Sequence, residues 1–438
     1  MKRFLFKRFW PGSALGAWFG RRFTKAGTLA IAGLLMTGGL AMDSEQSLAY
    51  QTFALLFCLL LAAFVFSFFF RARFSVQRHL PRFGSVGSPI RYKVLIENKT
   101  SKEQRGLVLL EDLADPRKHP AAEHALVLFE WRFIRVLRNP RRLRRVAKVE
   151  EAAIPRLAPQ SSGAAEVTII PFRRGMLRFE GVTIARSDPL GLFRSFVRMD
   201  LPQSVAILPK RYLVSPLALP GSTKYQPGGI AMASSIGESE EFVSLRDYRR
   251  GDPMRHIHWK SWAKTGRPIV KEFQDEFFVR HALILDTFAG GEKAEVFEEA
   301  VSIAASFAYT INTQESLLDL MFVGAEAFCF TAGRGVAHME QMLEVLAAVQ
   351  LCPAKRFDTL QDLVLKHAAL LSGCICIFLN WNESRRELVR SLQVVGVPLL
   401  VIVVIEPGGQ KKLSNLSDMP MPIHVIEHDK VQERLLEL

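Results

Sequence analysis

Two uncharged stretches stand near the start of the chain, Ala26–Met42 and Ala49–Phe70, separated by the acidic step Asp43-Ser44-Glu45-Gln46. The first is just long enough to span a bilayer at about 17 residues, and the second is longer. Basic residues flank the pair: Lys2, Arg3, Lys7, Arg8, Arg21, Arg22 and Lys25 before it, then Arg71, Arg73, Arg78 and Arg82 after it. Positive flanks stay on the cytoplasmic side. The pattern therefore predicts a transmembrane helical hairpin with both termini in the cytoplasm. The alternative is a cleaved signal peptide over the first stretch. The long basic tail argues against it, and the second stretch would anchor the chain in either case.

From Phe74 to Lys210 the pattern shortens. Tyr92–Glu97 alternates apolar and polar residues, Asn98-Lys99-Thr100-Ser101 reads as a turn, and Leu107–Leu110 resumes the strand. Ala165–Ile170, Met176–Phe179 and Val182–Ile184 repeat it, broken by Arg173-Arg174-Gly175 and Asp188-Pro189-Leu190-Gly191. This predicts a small β-sandwich of immunoglobulin-like type over residues 71–210, with a turn and a packed Leu192-Phe193 anchor at its Asp-Pro-Leu-Gly segment.

From Phe278 onward, apolar runs of strand length alternate with amphipathic helices. Strands are expected at Val279–Asp286, Leu317–Val323, Ala327–Phe330, Cys374–Leu379 and Leu399–Ile405, with an edge strand at Ile423–Ile426. Helices are expected at Val296–Ile311, Met339–Val349, Leu360–Leu371 and Glu383–Val394. That succession predicts a mostly parallel sheet covered by helices, an α/β unit over residues 277–438.

Between the two lies a Gly-, Pro- and Ser-rich linker, residues 211–237, and then the densest run of charge and aromatics in the chain, residues 238–276. Glu241–Tyr248 reads as extended. Asp252-Pro253 carries a helix-start signature, and Gly266 with Pro268 supplies the stop. One short helix over Pro253–Thr265 is expected, followed by a strand at Pro268–Phe273.

Composition sharpens the picture. The chain has 438 residues, 49% of them hydrophobic, with a formal net charge of +14 and a pI near 9.7. Such a balance favours anionic partners. Residues 1–25 form a basic tail. A second basic block lies in an insertion at 123–151 and carries Arg132, Arg135, Arg138, Arg141, Arg142, Arg144, Arg145 and Lys148. Beside membrane spans it suits anionic lipid headgroups; nucleic-acid phosphate and plain solvation are the alternatives. Cys58, Cys329, Cys352, Cys374 and Cys376 include no CxxC pair, which reads as buried thiols rather than a disulfide framework.

The run FVSLRDYRRGDPMRHIHWK from Phe242 to Lys260, continued by AKTGRPIVKEF, resembles the signature of the domain of unknown function 58 family. The segments Arg173-Arg174-Gly175 and DPLGLFR resemble the region that precedes it there. The resemblance implies a bacterial inner-membrane protein with a von Willebrand factor A-like (Rossmann-like) domain. It also implies a MoxR-type AAA+ ATPase as partner, with a transglutaminase-like membrane protein as a second. On that reading Arg246, Tyr248, Arg255, His258, Trp259 and Lys260 are signature and contact positions, while Gly251 and Asp252 shape the turn. Trp259 has a second reading as an anchor that locks the segment in place.

Domains of the von Willebrand type often hold a metal through D-x-S-x-S, a loop Thr and a later Asp. Here the first loop reads Asp286-Thr287-Phe288-Ala289-Gly290, so Phe288 and Gly290 stand where the serines would be. Asn380 stands at the later carboxylate position, and Thr359 is a candidate loop Thr. A degenerate site that binds no metal is expected. His256 and His258 form an H-x-H pair, but on the expected helix they diverge by about 200°. No G-x-S-x-G, Walker A, dinucleotide fingerprint or H-E-x-x-H occurs. The expectation is a non-enzymatic adaptor without cofactor. Its alternatives are a metal-dependent hydrolase using His256 and His258, and a nucleic-acid-binding membrane protein using Arg132–Lys148.

Overall fold

The computed structural model describes residues 22–40, 47–67, 70, 72–114, 146–214, 242–250, 252, 254–273, 279–289, 293–311, 316–333, 339–409 and 421–437. Residues 1–21 of the basic tail, the arginines from Arg132 to Arg145, most of the linker, and Gly251, Pro253 and Gly290 lie outside the described residues. The chain divides into two units, Met1–Ile207 and Leu208–Leu438.

The first unit opens with two apolar helices, α1 (Lys25–Leu40) and α2 (Ser47–Ser67). Small residues let them approach: a Cβ added at Gly33 would lie 3.3 Å from Leu56, and one at Gly38 would lie 3.2 Å from Phe53. Only the segment Leu48–Ser67, 20 residues at mean hydropathy 2.2, is long and apolar enough to cross a membrane among the described residues. At 16 residues, α1 falls short of the spanning length expected for Ala26–Met42.

The sandwich follows. Strands β1 (Phe74–His79), β2 (Phe83–Ser85), β3 (Ile90–Asn98), β4 (Leu107–Leu113), β5 (Ala147–Val149), β6 (Ala152–Ala153), β7 (Ser162–Pro171), β8 (Gly175–Ser187) and β9 (Arg194–Leu208) form two antiparallel sheets. Their orders are β1-β3-β7-β5 and β2-β9-β8-β4-β6. Strict alternation on β3 buries Tyr92, Val94 and Ile96 against Leu109, Val167 and Ile184 in one core. The expected strands Met176–Phe179 and Val182–Ile184 are one strand, β8, irregular between Phe179 and Gly181. Glu111 is buried in this unit and needs a compensating partner. Arg78 grips Glu111 through Nε (3.1 Å) and Nη2 (2.6 Å), and the Tyr92 hydroxyl donates to the same carboxylate at 2.9 Å. Burial pushes the Glu111 carboxyl up, while Arg78 and Tyr92 act against it.

The Asp-Pro-Leu-Gly segment joins helices to sandwich. The Asp188 carboxylate accepts from the amides of Leu190, Leu192 and Phe193 at 2.9, 2.8 and 2.6 Å, fixing the turn. Gly191 takes the left-handed φ of 70° that the turn requires. Phe193 is buried with Phe23 and Phe64 set edge-on at 5.2 and 6.0 Å. The Thr24 hydroxyl donates to the Gly191 carbonyl at 2.5 Å, and Ser195 donates to the Ser67 carbonyl at 3.0 Å. The packed anchor expected at Leu192-Phe193 is thus the seat on which both helices rest.

In the second unit, β10 (Phe242–Asp247) and β11 (Ile269–Phe273) pair antiparallel as a separate two-stranded sheet, with α3 (Trp259–Thr265) between them in sequence. A six-stranded sheet follows, built from β12 (Val279–Leu285), β13 (Ser316–Val323), β14 (Ala327–Ala332), β15 (Gly373–Phe378), β16 (Leu399–Ile405) and β17 (Ile423–Glu427). Its order is β14-β13-β12-β15-β16-β17, parallel except for β14 at one edge. The helices are α4 (Ala294–Thr310), α5 (Met339–Ala348), α6 (Asp358–His367), α7 (Glu383–Val394) and α8 (Val431–Leu436). Every β15 residue is buried, as a central strand covered on both faces must be. Cys374 and Cys376 sit there as free thiols.

A Cβ at position 27 would lie 2.1 Å from the Leu192 carbonyl oxygen. Gly27→Val is therefore expected to destabilise the first unit by about 1–3 kcal/mol, the usual cost of overpacking, read as a lowered unfolding midpoint of the detergent-solubilised chain.

Candidate functional site

The signature segment folds as a tongue. β10 and β11 pair through Arg246↔Val270 and Leu245↔Lys271, and the pairing continues beyond them as the Tyr248 amide donates to the Pro268 carbonyl at 2.9 Å. A bidentate ion pair braces the turn. The Arg246 guanidinium donates to both oxygens of Asp252 at 2.7 and 2.8 Å, and the Arg249 amide donates to the same carboxylate at 2.8 Å. These partners hold the Asp252 carboxyl at about 2, below its ordinary value, with the Arg246 hydrogen bonds the largest cause.

The expected helix over Pro253–Thr265 does not form as one piece. Met254–His256 makes a single 3₁₀ turn, Ile257 pairs with Val270, and only Trp259–Thr265 is α-helical. Two causes act together. The Asp252 side chain is already taken up by Arg246 and is not a helix cap. Burying Ile257 against the sheet also draws the backbone extended, and the His258 amide donates to the Ile269 carbonyl at 2.8 Å. Gly266, at φ 69°, closes the helix with its amide on the Trp262 carbonyl.

The histidines therefore do not sit on one helix. Arg255 Nε donates to His256 Nε2 at 3.3 Å, while His258 precedes α3 and its Nδ1 lies 2.6 Å from the Ser261 hydroxyl. Among the described residues no three His, Cys, Asp or Glu side chains gather where a metal ion could sit. Trp259 and Trp262 stack at 5.2 Å with an interplanar angle of 18°. Trp259 remains 62% exposed, which removes its reading as a buried anchor. Arg255, Lys260 and Lys264 are exposed around the same short helix, whereas Arg246, a contact position by resemblance, is an internal brace.

A second constellation lies beyond the carboxyl ends of β12 and β15, where the strand order reverses direction. Asp286 is fully buried there. It accepts from the amides of Phe288 (2.9 Å) and Leu379 (3.2 Å) and from Arg385, with Nε and Nη2 at 3.0–3.1 Å. Burial pushes this carboxyl up, and the Arg385 guanidinium opposes the shift. Arg385 also donates to Asn382 Oδ1 at 3.2 Å and to the Phe288 carbonyl at 3.3 Å, and it lies over the Phe357 ring at 4.2 Å.

The sequence-expected ligands disperse. The Thr287 hydroxyl donates to the Val323 carbonyl at 2.6 Å, and Phe288 packs edge-on against Phe357 at 5.6 Å. Asn380 is exposed and accepts from the Trp381 amide, while Thr359 lies in the first turn of α6. A guanidinium fills the position of countercharge to Asp286. Sequence reasoning missed Arg385, although one signal was available. A cation in the first turn of a helix opposes the dipole, so its charge calls for a partner elsewhere.

Beside this pair opens a cleft of about 400 Å³, lined in part by Phe288, Lys355, Arg356, Phe357, Ser384 and Arg385.

Comparison with known proteins bears on the second unit. Residues 244–400 match the profile of the family described as "Protein of unknown function DUF58". The uncharacterized protein YeaD of Bacillus subtilis (strain 168) is 26% identical over 176 residues, 40% of this chain and 42% of that protein. The chain thus spans about two fifths of that relative's length. Among solved structures, similarity extends to the CARDB domain of the PF1109 protein of Pyrococcus furiosus, in complex with di-metal ions. The identity is 12% and the TM-score 0.18, over 31% of this chain and 89% of that one. A GH20 exo β-N-acetylglucosaminidase from Vibrio harveyi gives 10% identity and a TM-score of 0.12, over 76% of this chain and 57% of that one. Neither likeness, at such scores, bears on the fold.

Two outcomes follow from the ion pairs. Arg385→Met is expected to cost about 3–5 kcal/mol at neutral pH, because it strands a buried carboxylate. The deficit should narrow as pH falls, since the folded variant then takes up a proton more readily than the unfolded chain; denaturant titrations at two pH values read both. The brace of the tongue has the opposite sign. Asp252 is held low in the fold, so its contribution is complete above its ordinary value of 3.8 and lost as pH falls through about 2. The Arg249 amide resonance should titrate with that low midpoint, and the midpoint should rise in Arg246→Gln.

Proposed function

We propose that this chain, which belongs to the DUF58 family, is a non-enzymatic adaptor displaying its signature tongue from a membrane anchor. The observation that carries the reading is the stacked Trp259–Trp262 pair, with Trp259 62% exposed on a braced element whose Arg255, Lys260 and Lys264 are also exposed. Exposed tryptophan beside cationic side chains is the composition of an interface anchor. It favours a partner surface with acidic groups around an apolar socket.

The anchor reading draws on Leu48–Ser67 and on the small-residue packing of α1 against α2. With basic flanks inside, it takes the two as a hairpin in a bacterial inner membrane, both termini cytoplasmic. The strand order of the α/β unit, with one antiparallel edge strand, supports a von Willebrand A-like assignment. The expected partner is a MoxR-type AAA+ ATPase in an envelope-associated assembly, with a transglutaminase-like membrane protein as a second. The basic insertion is assigned to anionic lipid headgroups.

The test is a detergent-solubilised pull-down of the intact chain beside its Arg255→Glu/Trp259→Ala variant, with mass-spectrometric identification and metal analysis of the eluate. The variant's fold is checked first by its unfolding midpoint. Capture of an AAA+ ATPase by the native chain and its loss in the variant is expected. Stoichiometric metal with an unchanged partner set would sink the adaptor reading.

A further inference from the structure

The cleft beside Asp286 and Arg385 has the chemistry of an anion site. Two segments distant in sequence deliver cations to it: Lys355 and Arg356 just before α6, and Arg385 in the first turn of α7. Against Asp358, the three cations leave a lining charge of 3 − 1 = +2. Asp286 lies behind Arg385 rather than in the lining, and its oxygens are occupied by that guanidinium and two backbone amides. The one carboxylate in the lining, Asp358, is paired with Arg356 at 2.8 Å, so the lining favours an anion over a cation.

Donors are available. A guanidinium carries five N–H groups. In Arg385, Nε uses its one hydrogen on Asp286, Nη1 uses one on Asn382, and Nη2 uses both on Asp286 and the Phe288 carbonyl. One Nη1 hydrogen has no acceptor among the described residues. The first turns of α6 and α7 contribute Asp358 and Ser384 to the wall, while the amides of Thr359, Leu360 and Arg385 there already donate to the Arg356 and Phe357 carbonyls and to Asn382 Oδ1. Arg356 already holds an oxyanion, the Asp358 carboxylate, at 2.8 Å, yet its side chain is 87% exposed and has room to swing to a competitor.

We propose that this cleft binds a phosphate group, free or carried on a small organic ester. Phosphate matches the charge and the donors. It accepts from several directions at once, whereas a lone carboxylate would leave part of this array unused. The cleft, at about 400 Å³, is larger than phosphate alone requires, and Phe288, Phe357 and Pro353 add an apolar wall for a carbon skeleton. The inference is independent of the adaptor reading, because it uses no residue of the tongue.

The experiment is isothermal titration of the full chain in detergent with sodium phosphate and, separately, with glycerol 3-phosphate. Saturable binding of at least one is expected, weakened about tenfold or more in Lys355→Gln/Arg356→Gln. Both side chains are exposed, so the fold should survive their loss. Ser384→Asp is the second variant: it puts a like charge at the mouth while suiting a helix N-terminus, and it should weaken binding similarly. Tighter binding of the ester assigns the apolar wall to the ligand's carbon portion, and equal binding assigns the site to free phosphate. Trp259→Ala should change neither affinity. No saturable binding of either probe, or binding unchanged in both cleft variants, would overturn the proposal.

Discussion

The carboxyl edge of the second unit's sheet is organised by the buried ion pair of Asp286 and Arg385; a further pair, Arg280–Asp319, links β12 to β13. Asp286 and Arg385 are 99 residues apart in sequence, and their contact fastens the end of the central strand β12 to the first turn of α7. The carboxylate also holds the Leu379 amide at the end of β15, so one side chain ties together two strands and a helix at the edge where loops gather. A charge this deeply buried is tolerated only because its partner and two amides meet it with full hydrogen-bond geometry. The same arrangement decides what the edge can bind. Because the internal guanidinium saturates the acid, the exposed character of the cleft is cationic.

The two units use the same device for different ends. In the sandwich, Arg78 and Glu111 lie fully inside the core with Tyr92 completing the set. In the tongue, Arg246 and Asp252 are partly solvated, and their role is to fix a turn whose outer side carries the aromatic stack. Depth separates these pairs. The buried ones specify how elements join, and the half-exposed one sets the shape of a surface.

Much of this was legible in the chain. The runs Cys374–Leu379 and Leu399–Ile405 are apolar throughout, as strands covered on both faces must be, so their positions could be read almost to the residue. Alternation placed β3 equally well. What escaped depended on contacts distant in sequence. The Asp252-Pro253 helix signal was valid locally, but it lost to the pairing of Ile257 with Val270 and to the claim of Arg246 on Asp252. Strand β9 was missed because its middle alternates between partial burial and exposure, and its buried apolar residues gather at its far end. The loop after β12 carries Phe288 and Gly290 where serines would stand, and nothing adjacent to Asp286 names Arg385 as its countercharge.

The seat at Leu192 has a consequence for the geometry of the first helix. Only a residue without a side chain fits against that carbonyl oxygen, so α1 cannot roll about its long axis without driving a neighbour of Gly27 into the sandwich backbone. Its azimuth is therefore locked like a key in a ward. Exposed Leu29 and Met36, two turns apart on one face of α1, keep a fixed direction relative to the β-sheets.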